Sequence, residues 1–394
     1  MKIALIGACD RNNYGDLLMP IVFEKQYRYK NPDKDVKFEY YGQIDSDMSY
    51  VKSNNTKALY RCYNNCDIAI MVGGEILSSN FKLMYFNLQK NPIKIFIMRC
   101  FNKIFPHKME EISKKKLKGK SERPWILDKD TLGCKKIIYN TVGGDFDNNV
   151  EIIKNIKKID YMAIRNKVDF DKISKYNKNV YLYPDSVTAI SKVISSKEIE
   201  DNVSEKIKKM AAGKYFIIQI DKRDGKKIVG DMAKQINEVC DKLKMDCILL
   251  PIGYAQGHED QVVLKKVLKK CHNKNVLMPG ITNIYETIYI IKNSCLFIGT
   301  SLHGIITSTS YCVPHMFLTS KIKKVLNYLD TWTTTPLKYT EVEDIAENVE
   351  KILSIPNLKE NLEEKSRELI RLVDENFKNI NDLINEDIKN EKRN

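Results

Sequence analysis

The amino-acid sequence predicts an α/β protein built from two stacked parallel-sheet domains that face each other across a cleft. Three observations lead there. Short apolar runs alternate with helical patterns along most of the 394 residues, the signature of parallel α/β layering. A chain of this length, 43% hydrophobic and 29% charged, is too long for one typical core and suits two. A stretch rich in Lys, Ser and Glu and without aromatics, Ser191 to Gly213, divides the apolar runs into two series.

In the first series we expect strands at Lys2 to Gly7, Val36 to Tyr41, Asp67 to Val72, Lys136 to Thr141, Tyr161 to Arg165 and Val180 to Tyr183. The start, Met-Lys-Ile-Ala-Leu-Ile-Gly-Ala-Cys, superficially resembles a lipoprotein signal ending at Cys9. Its apolar region is shorter than the roughly 7 to 15 residues a signal needs, so it reads as strand one. In the second series strands are expected at Tyr215 to Ile220, Cys247 to Pro251, Asn275 to Leu277, Leu296 to Ile298 and His315 to Phe317. Helices such as Lys226 to Leu243 and Gln261 to Lys270 separate them. From about Thr340 the pattern is charged helix, with Ile352, Leu353, Leu362, Leu369, Ile370 and Val373 available to pack back across the first domain. The expected division is 1–190, a linker 191–213, 214–335, and C-terminal helices with a frayed tail over 336–394.

Composition narrows the function. The net charge of +14 and a pI near 9.1 favour acidic partners: phosphorylated metabolites, polyanionic glycans, anionic membrane or nucleic acid. No recognisable nucleic-acid module is present, and no run approaches the roughly 18 apolar residues of a membrane span. Ten cysteines lie scattered without a CxxC pair, which supports neither a zinc site nor a disulfide framework and makes the cytoplasm the expected compartment. The basic insertion at about 90–125 holds ten Lys/Arg against three acids between Lys94 and Arg123. Within it, Ile93 to Phe105 interleaves bulky apolar and cationic residues. We read this first as a core helix followed by a solvated loop, with docking on anionic lipid at the inner face of the membrane as the alternative.

The most informative stretch is Ser294-Cys-Leu-Phe-Ile-Gly-Thr-Ser-Leu-His303-Gly-Ile-Ile, a buried strand, a tight turn of small residues and a helix start. Open α/β sheets bind ligands at such strand ends, and a helix N-terminus attracts anions. His303 is therefore a candidate proton donor or phosphate stabiliser; the alternative is a hydrogen-bonded loop histidine. Lys222 and Arg223 follow the first strand of the second series, where cations would clamp an anionic ligand. Arg165 ends an earlier strand and serves either a ligand or a domain-tethering ion pair. In the loop after strand one, Asn13 and Gly15 precede Asp16, a candidate sugar ligand or base that reads equally as a helix cap. Gly73 and Gly74 suit either a turn or the close approach of a ligand, Asp185 a turn or cap. After another strand, His258 belongs to a polar segment that can line the cleft, and Glu259 and Asp260 can do the same or cap the next helix.

Together these segments resemble the polysaccharide pyruvyl transferase family from roughly Met1 to Leu318. Asn13-Tyr-Gly-Asp16, Asp67-Ile-Ala-Ile-Met-Val-Gly-Gly-Glu75, Ile137-Ile-Tyr-Asn-Thr-Val-Gly143, Tyr161-Met-Ala-Ile-Arg-Asn166, Val180-Tyr-Leu-Tyr-Pro-Asp185 and Gly299-Thr-Ser-Leu-His-Gly304 with Val313-Pro314 occur in the family's order. The resemblance implies two Rossmann-like domains as in the GT-B glycosyltransferases. It also implies transfer of a pyruvyl group from phosphoenolpyruvate, a co-substrate, to a saccharide or lipid-linked oligosaccharide during cell-surface polysaccharide assembly; nothing in the residues themselves calls for a metal or other cofactor. It places His303 and Asp16 as catalytic candidates, Lys222, Arg223, Ser301 and Gly304 toward the donor, and Arg165, Asn13, Gly15, Gly73 and Gly74 among the binding residues. The chain departs from the pattern at Ser301, where many members carry arginine; a serine there still offers a hydrogen bond.

Two other classes stay open: a nucleotide-sugar-dependent glycosyltransferase of the same architecture, since fold does not determine reaction, and a non-catalytic glycan-binding relative. A dinucleotide enzyme is disfavoured, because no G-x-G-x-x-G follows strand one.

Overall fold

The computed structural model describes residues 1–394 apart from 90, 147–148, 226–227, 320–321 and 392–394. The chain divides into two compact units, one formed by Met1–Asn12, Asp16–Ser186 and Leu372–Asn394, the other by Asn13–Gly15 and Val187–Arg371.

The first unit holds a seven-stranded sheet of β1 (Lys2–Ile6), β2 (Lys37–Gly42), β3 (Lys57–Ala58), β4 (Ile68–Met71), β5 (Lys136–Val142), β6 (Tyr161–Ile164) and β7 (Val180–Leu182). All neighbours are parallel, in the order β3-β2-β1-β4-β5-β6-β7. Ile3 to Ile6 and Ile68 to Met71 are wholly buried, because a parallel sheet is covered on both faces and its inner strands tolerate no polar alternation. The core continues through Trp125, Tyr139 and Ile164. The end of the long helix Leu358–Glu391 packs into this unit. There Phe377 meets Phe23 edge-on at 5.7 Å, and Tyr161 donates its hydroxyl to Asn376 at 2.8 Å.

The second unit holds β8 (Tyr215–Gln219), β9 (Asp246–Leu249), β10 (Val276–Leu277), β11 (Leu296–Gly299), β12 (His315–Leu318) and β13 (Tyr339–Thr340), also parallel, in the order β10-β9-β8-β11-β12-β13. Both sheets have the Rossmann-like order, in which strand order reverses beside the first strand: between β1 and β4, and between β8 and β11. The core of this unit runs through Phe216, Ile236, Leu249, Ile298 and Ile345.

All eleven expected strands form, with ends shifted by no more than two residues. Two were missed, β3 and β13, each a two-residue edge strand defined by its partner and too short to show a period. The helix expected from Lys226 is observed at Val229–Leu243, and Lys226 itself lies outside the described residues, as does the end of the expected tail. The core-helix reading of Ile93 to Phe105 holds on one face only. The helix Pro92–Ile104 buries Ile95 and Met98 and leaves Ile93, Phe96, Ile97 and Ile104 exposed, and a second helix, Pro106–Lys116, follows where a loop was expected. Among the described residues no helix is long and apolar enough to cross a membrane.

Candidate functional site

In the second unit the residues gather where strand order reverses, at the C-terminal ends of β8 and β11. Gly299 pairs with Gln219 in register, and a Cβ on Gly299 would lie 2.8 Å from Gln219 Oε1, so only glycine permits this approach. Thr300 donates its N–H to the same Oε1 at 3.0 Å, and its hydroxyl accepts from Asp221 N at 2.9 Å. The chain then turns into the helix Leu302–Ser310, capped by Ser301, whose Oγ accepts from Gly304 N at 3.3 Å. His303 thus sits in the first turn, where backbone N–H groups lack intrahelical acceptors and the dipole favours an anion. Its Nε2 is buried. Gly304 faces Phe297, whose Cζ would be 2.2 Å from an added Cβ.

Asn13–Gly15 belongs to this unit. Asn13 bridges Gly253, Tyr14 N donates to Ile252 O at 3.0 Å, and the Tyr14 and Thr307 hydroxyls lie 2.9 Å apart. Gly15 rests against the imidazole: an added Cβ would fall 1.9 Å from His303 Nδ1. The structure therefore joins two motifs from distant parts of the sequence, Asn13 to Gly15 and Ser301 to Gly304.

Beside them lies a polar network in which Lys222, Arg223, His258, Glu259 and Asp260 were read from the sequence and Gln219 and Asp221 were not. Arg223 is held by Asp221, which accepts its Nε at 3.1 Å and its Nη2 at 3.0 Å, while His258 Nδ1 lies 3.1 Å from the same carboxylate. Lys222 pairs with Glu259 at 2.8 Å. Burial pushes Asp221 up, but hydrogen bonds from His258 and Arg223 outweigh it and hold the carboxyl at about 2. Asp260 is not a simple cap: its Oδ2 accepts from Gln219 Nε2 and from the backbone N–H groups of Ile252 and Gly253. Burial, with the charge of Asp221 adding to it, raises Asp260 above the ordinary carboxylate range. Asp221, paired with Arg223, and Asp260, buried against Gln219, thus both lie at the strand-order reversal. The legible signal was Gln219 and Asp221, polar residues closing an otherwise apolar run.

In the first unit Asp16, Gly73 and Gly74 come together at the other reversal, between β1 and β4. Asp16 lies in the first turn of the helix Tyr14–Lys30 rather than at its cap, and its Oδ1 would be 3.8 Å from a Cβ on Gly74. Gly73 and Gly74 have φ of 123° and 92°, conformations that favour glycine, and Gly73 is packed against Met19. Arg165 is buried between carboxylates from neighbouring strand ends, with Nη2 2.7 Å from Glu75 and Nη1 2.9 Å from Asp185. Asp185 is thus the partner of a buried ion pair. Among the described residues no three His, Cys, Asp or Glu side chains are grouped to hold a metal ion.

A family model for polysaccharide pyruvyl transferase matches residues 13–321. The chain belongs to the polysaccharide pyruvyl transferase family. It is accordingly a transferase. No curated protein sequence matches the chain. Among solved structures, the Neisseria meningitidis UDP-GlcNAc 2-epimerase bound to UDP-GlcNAc is similar at a TM-score of 0.57 and 10% identity, covering 98% of this chain and 100% of that one. The Methanocaldococcus jannaschii UDP-GlcNAc 2-epimerase with UDP-GlcNAc and UDP gives 0.54 at 12% identity, covering 90% and 93%. The N-terminal domain of Candida albicans trehalose-6-phosphate phosphatase gives 0.52 at 12% identity, covering 98% and 96%. At these identities the likeness shows a shared fold of two Rossmann-like units, the GT-B-like architecture, and nothing of the reaction.

Proposed function

We propose that this family member transfers a pyruvyl group from phosphoenolpyruvate to two hydroxyls of a saccharide, giving a pyruvate ketal in cell-surface polysaccharide assembly. The observation that carries the reading is the family match over residues 13–321, which includes the helix start bearing His303. In the proposed chemistry a proton reaches the methylene carbon of phosphoenolpyruvate, and the first sugar oxygen bonds to the central carbon as its own proton leaves. The bond from that carbon to the phosphate oxygen then breaks, inorganic phosphate departs, and the second hydroxyl closes the ketal with loss of its proton. Such a path needs an acid, a base and donors for two anionic groups.

His303 is assigned the acid or the stabilisation of departing phosphate, aided by the helix start. Arg223 and Lys222 are assigned to the donor's carboxylate and phosphate, with Ser301 and the Gly304 backbone beside them. Asp221 and Glu259 hold these two cations in the structure, so donor binding would exchange or share those partners. Asp16 is assigned as base, with Asn13, Gly15, Gly73 and Gly74 shaping the backbone for an acceptor. Arg165 is assigned through its grip on Glu75. The acceptor is a saccharide or lipid-linked oligosaccharide, and the reaction is placed in the cytoplasm.

Thermal unfolding with phosphoenolpyruvate, pyruvate, UDP and GDP in turn tests this. A ligand that binds only the native state at about 100 times its Kd adds about 2.7 kcal/mol. The expected result is a shift with phosphoenolpyruvate that Arg223→Ala abolishes. A shift with UDP or GDP and none with phosphoenolpyruvate overturns the reading in favour of a nucleotide-sugar glycosyltransferase. If His303→Ala leaves phosphate release from phosphoenolpyruvate unchanged, the histidine has no catalytic role.

A further inference from the structure

We propose that the helix Pro92–Ile104 docks the protein on an anionic lipid bilayer. The helix has two apolar faces. At 100° per residue, Ile95 and Met98 fall on one side, and both are buried in the first unit. Ile93, Phe96, Ile97 and Ile104 fall on the opposite side at spacings of three, four and seven residues, and they are between 60% and 69% exposed. A helix that needed only to pack on its own sheet would carry polar residues there.

Charge identifies the occupant. On the same helical projection Lys94 runs along one edge of the exposed stripe, Arg99 and Lys103 along the other, and all three are exposed. Lys94 lies over the Tyr85 ring at 5.4 Å, a contact that leaves its charge uncompensated. From Ile76 to Met109 the sequence contains no Asp or Glu at all. Apolar residues flanked on both edges by cations, on a helix that carries no carboxylate of its own, match the acyl and headgroup layers of an anionic membrane surface. A protein partner would meet this pattern only if it presented its own apolar patch ringed with acid. The second copy of this chain carries the same positive charge and would be repelled. The proposal does not depend on the donor chemistry proposed above.

The test is co-sedimentation of the full chain with phosphatidylcholine vesicles and with vesicles of equal parts phosphatidylcholine and phosphatidylglycerol. Binding is expected to the mixed vesicles only and to weaken with salt. Arg99→Glu or Lys103→Glu is expected to weaken it by at least about fivefold each. Phe96→Ser with Ile97→Ser should lower it by at least about tenfold. These side chains are exposed, so unchanged melting temperatures verify that the variants fold. No binding to the mixed vesicles, equal binding to neutral ones, or full binding by the serine variant overturns the proposal. Sedimentation velocity provides a further arm: a dimer dissociated by Phe96→Ser, with no vesicle binding, would assign the face to a second copy instead.

Discussion

Gly15→Ala isolates the contact that unites the two halves of the His303 site. Gly15 lies in the first turn of the helix Tyr14–Lys30 without a positive φ, so the backbone accepts alanine and by propensity gains up to about 1 kcal/mol. Only the new methyl opposes this, at 1.9 Å from His303 Nδ1, 2.3 Å from Cγ and 2.5 Å from Cε1. An ordinary contact needs about 3.5 Å, so the imidazole must retreat by roughly 1.5 Å, against a helix whose first turn is packed on Phe297. Overpacking of this kind costs about 1–3 kcal/mol, and a misplacement of about 1 Å costs roughly 100-fold in rate when the displaced group is catalytic. Urea unfolding of the wild type, Gly15→Ala, His303→Ala and the double variant closes the cycle. Gly15→Ala should destabilise the wild type but be neutral or stabilising once His303 is alanine, and phosphate release from phosphoenolpyruvate should fall about 100-fold in the single variant. Equal effects of Gly15→Ala in both backgrounds would refute the steric coupling. Coupling with undiminished turnover would leave the contact intact and remove the histidine from the chemistry.

Other consequences are equally direct. His315 is wholly buried, with Nδ1 2.8 Å from Val313 O and Nε2 2.8 Å from Thr334 Oγ1, and burial lowers its pKa to about 4. A histidine kept neutral contributes stability that is complete above its unfolded pKa of about 6.5 and is lost as pH falls toward 4, amounting to about 3 kcal/mol. Denaturation between pH 7 and 4 should show that slope flattened in His315→Gln; an unchanged slope assigns it to other groups. Arg165→Met leaves Asp185 buried without its cation and should cost about 3–5 kcal/mol, partly recovered by adding Asp185→Asn; a loss under about 1 kcal/mol contradicts the buried pair. Gly304→Ala drives a methyl into Phe297 and should cost about 1–3 kcal/mol, with Gly304→Ala and Phe297→Leu together costing less than their sum; strict additivity refutes the clash.

The two parallel sheets were legible in the sequence because a strand covered on both faces must be apolar along its length, and that property is local. So was the turn from β11 into the helix of His303, since its small residues and Ser301 cap are local chemistry. The sequence alone also supplied Lys222, Arg223 and Asp16 at strand or helix ends. What it could not supply was partnership. Periodicity shows that Pro92–Ile104 is apolar and cationic, but two apolar faces compete and only packing decides that Ile95 and Met98 turn inward. That Asp221 engages both Arg223 and His258, and that Asp260 is buried against Gln219, depends on which strands the crossovers set side by side. The same holds for Gly15 against His303. A glycine announces that a close approach is permitted, whereas the identity of the approaching group is fixed by chain topology far away in sequence, where no local preference can register it.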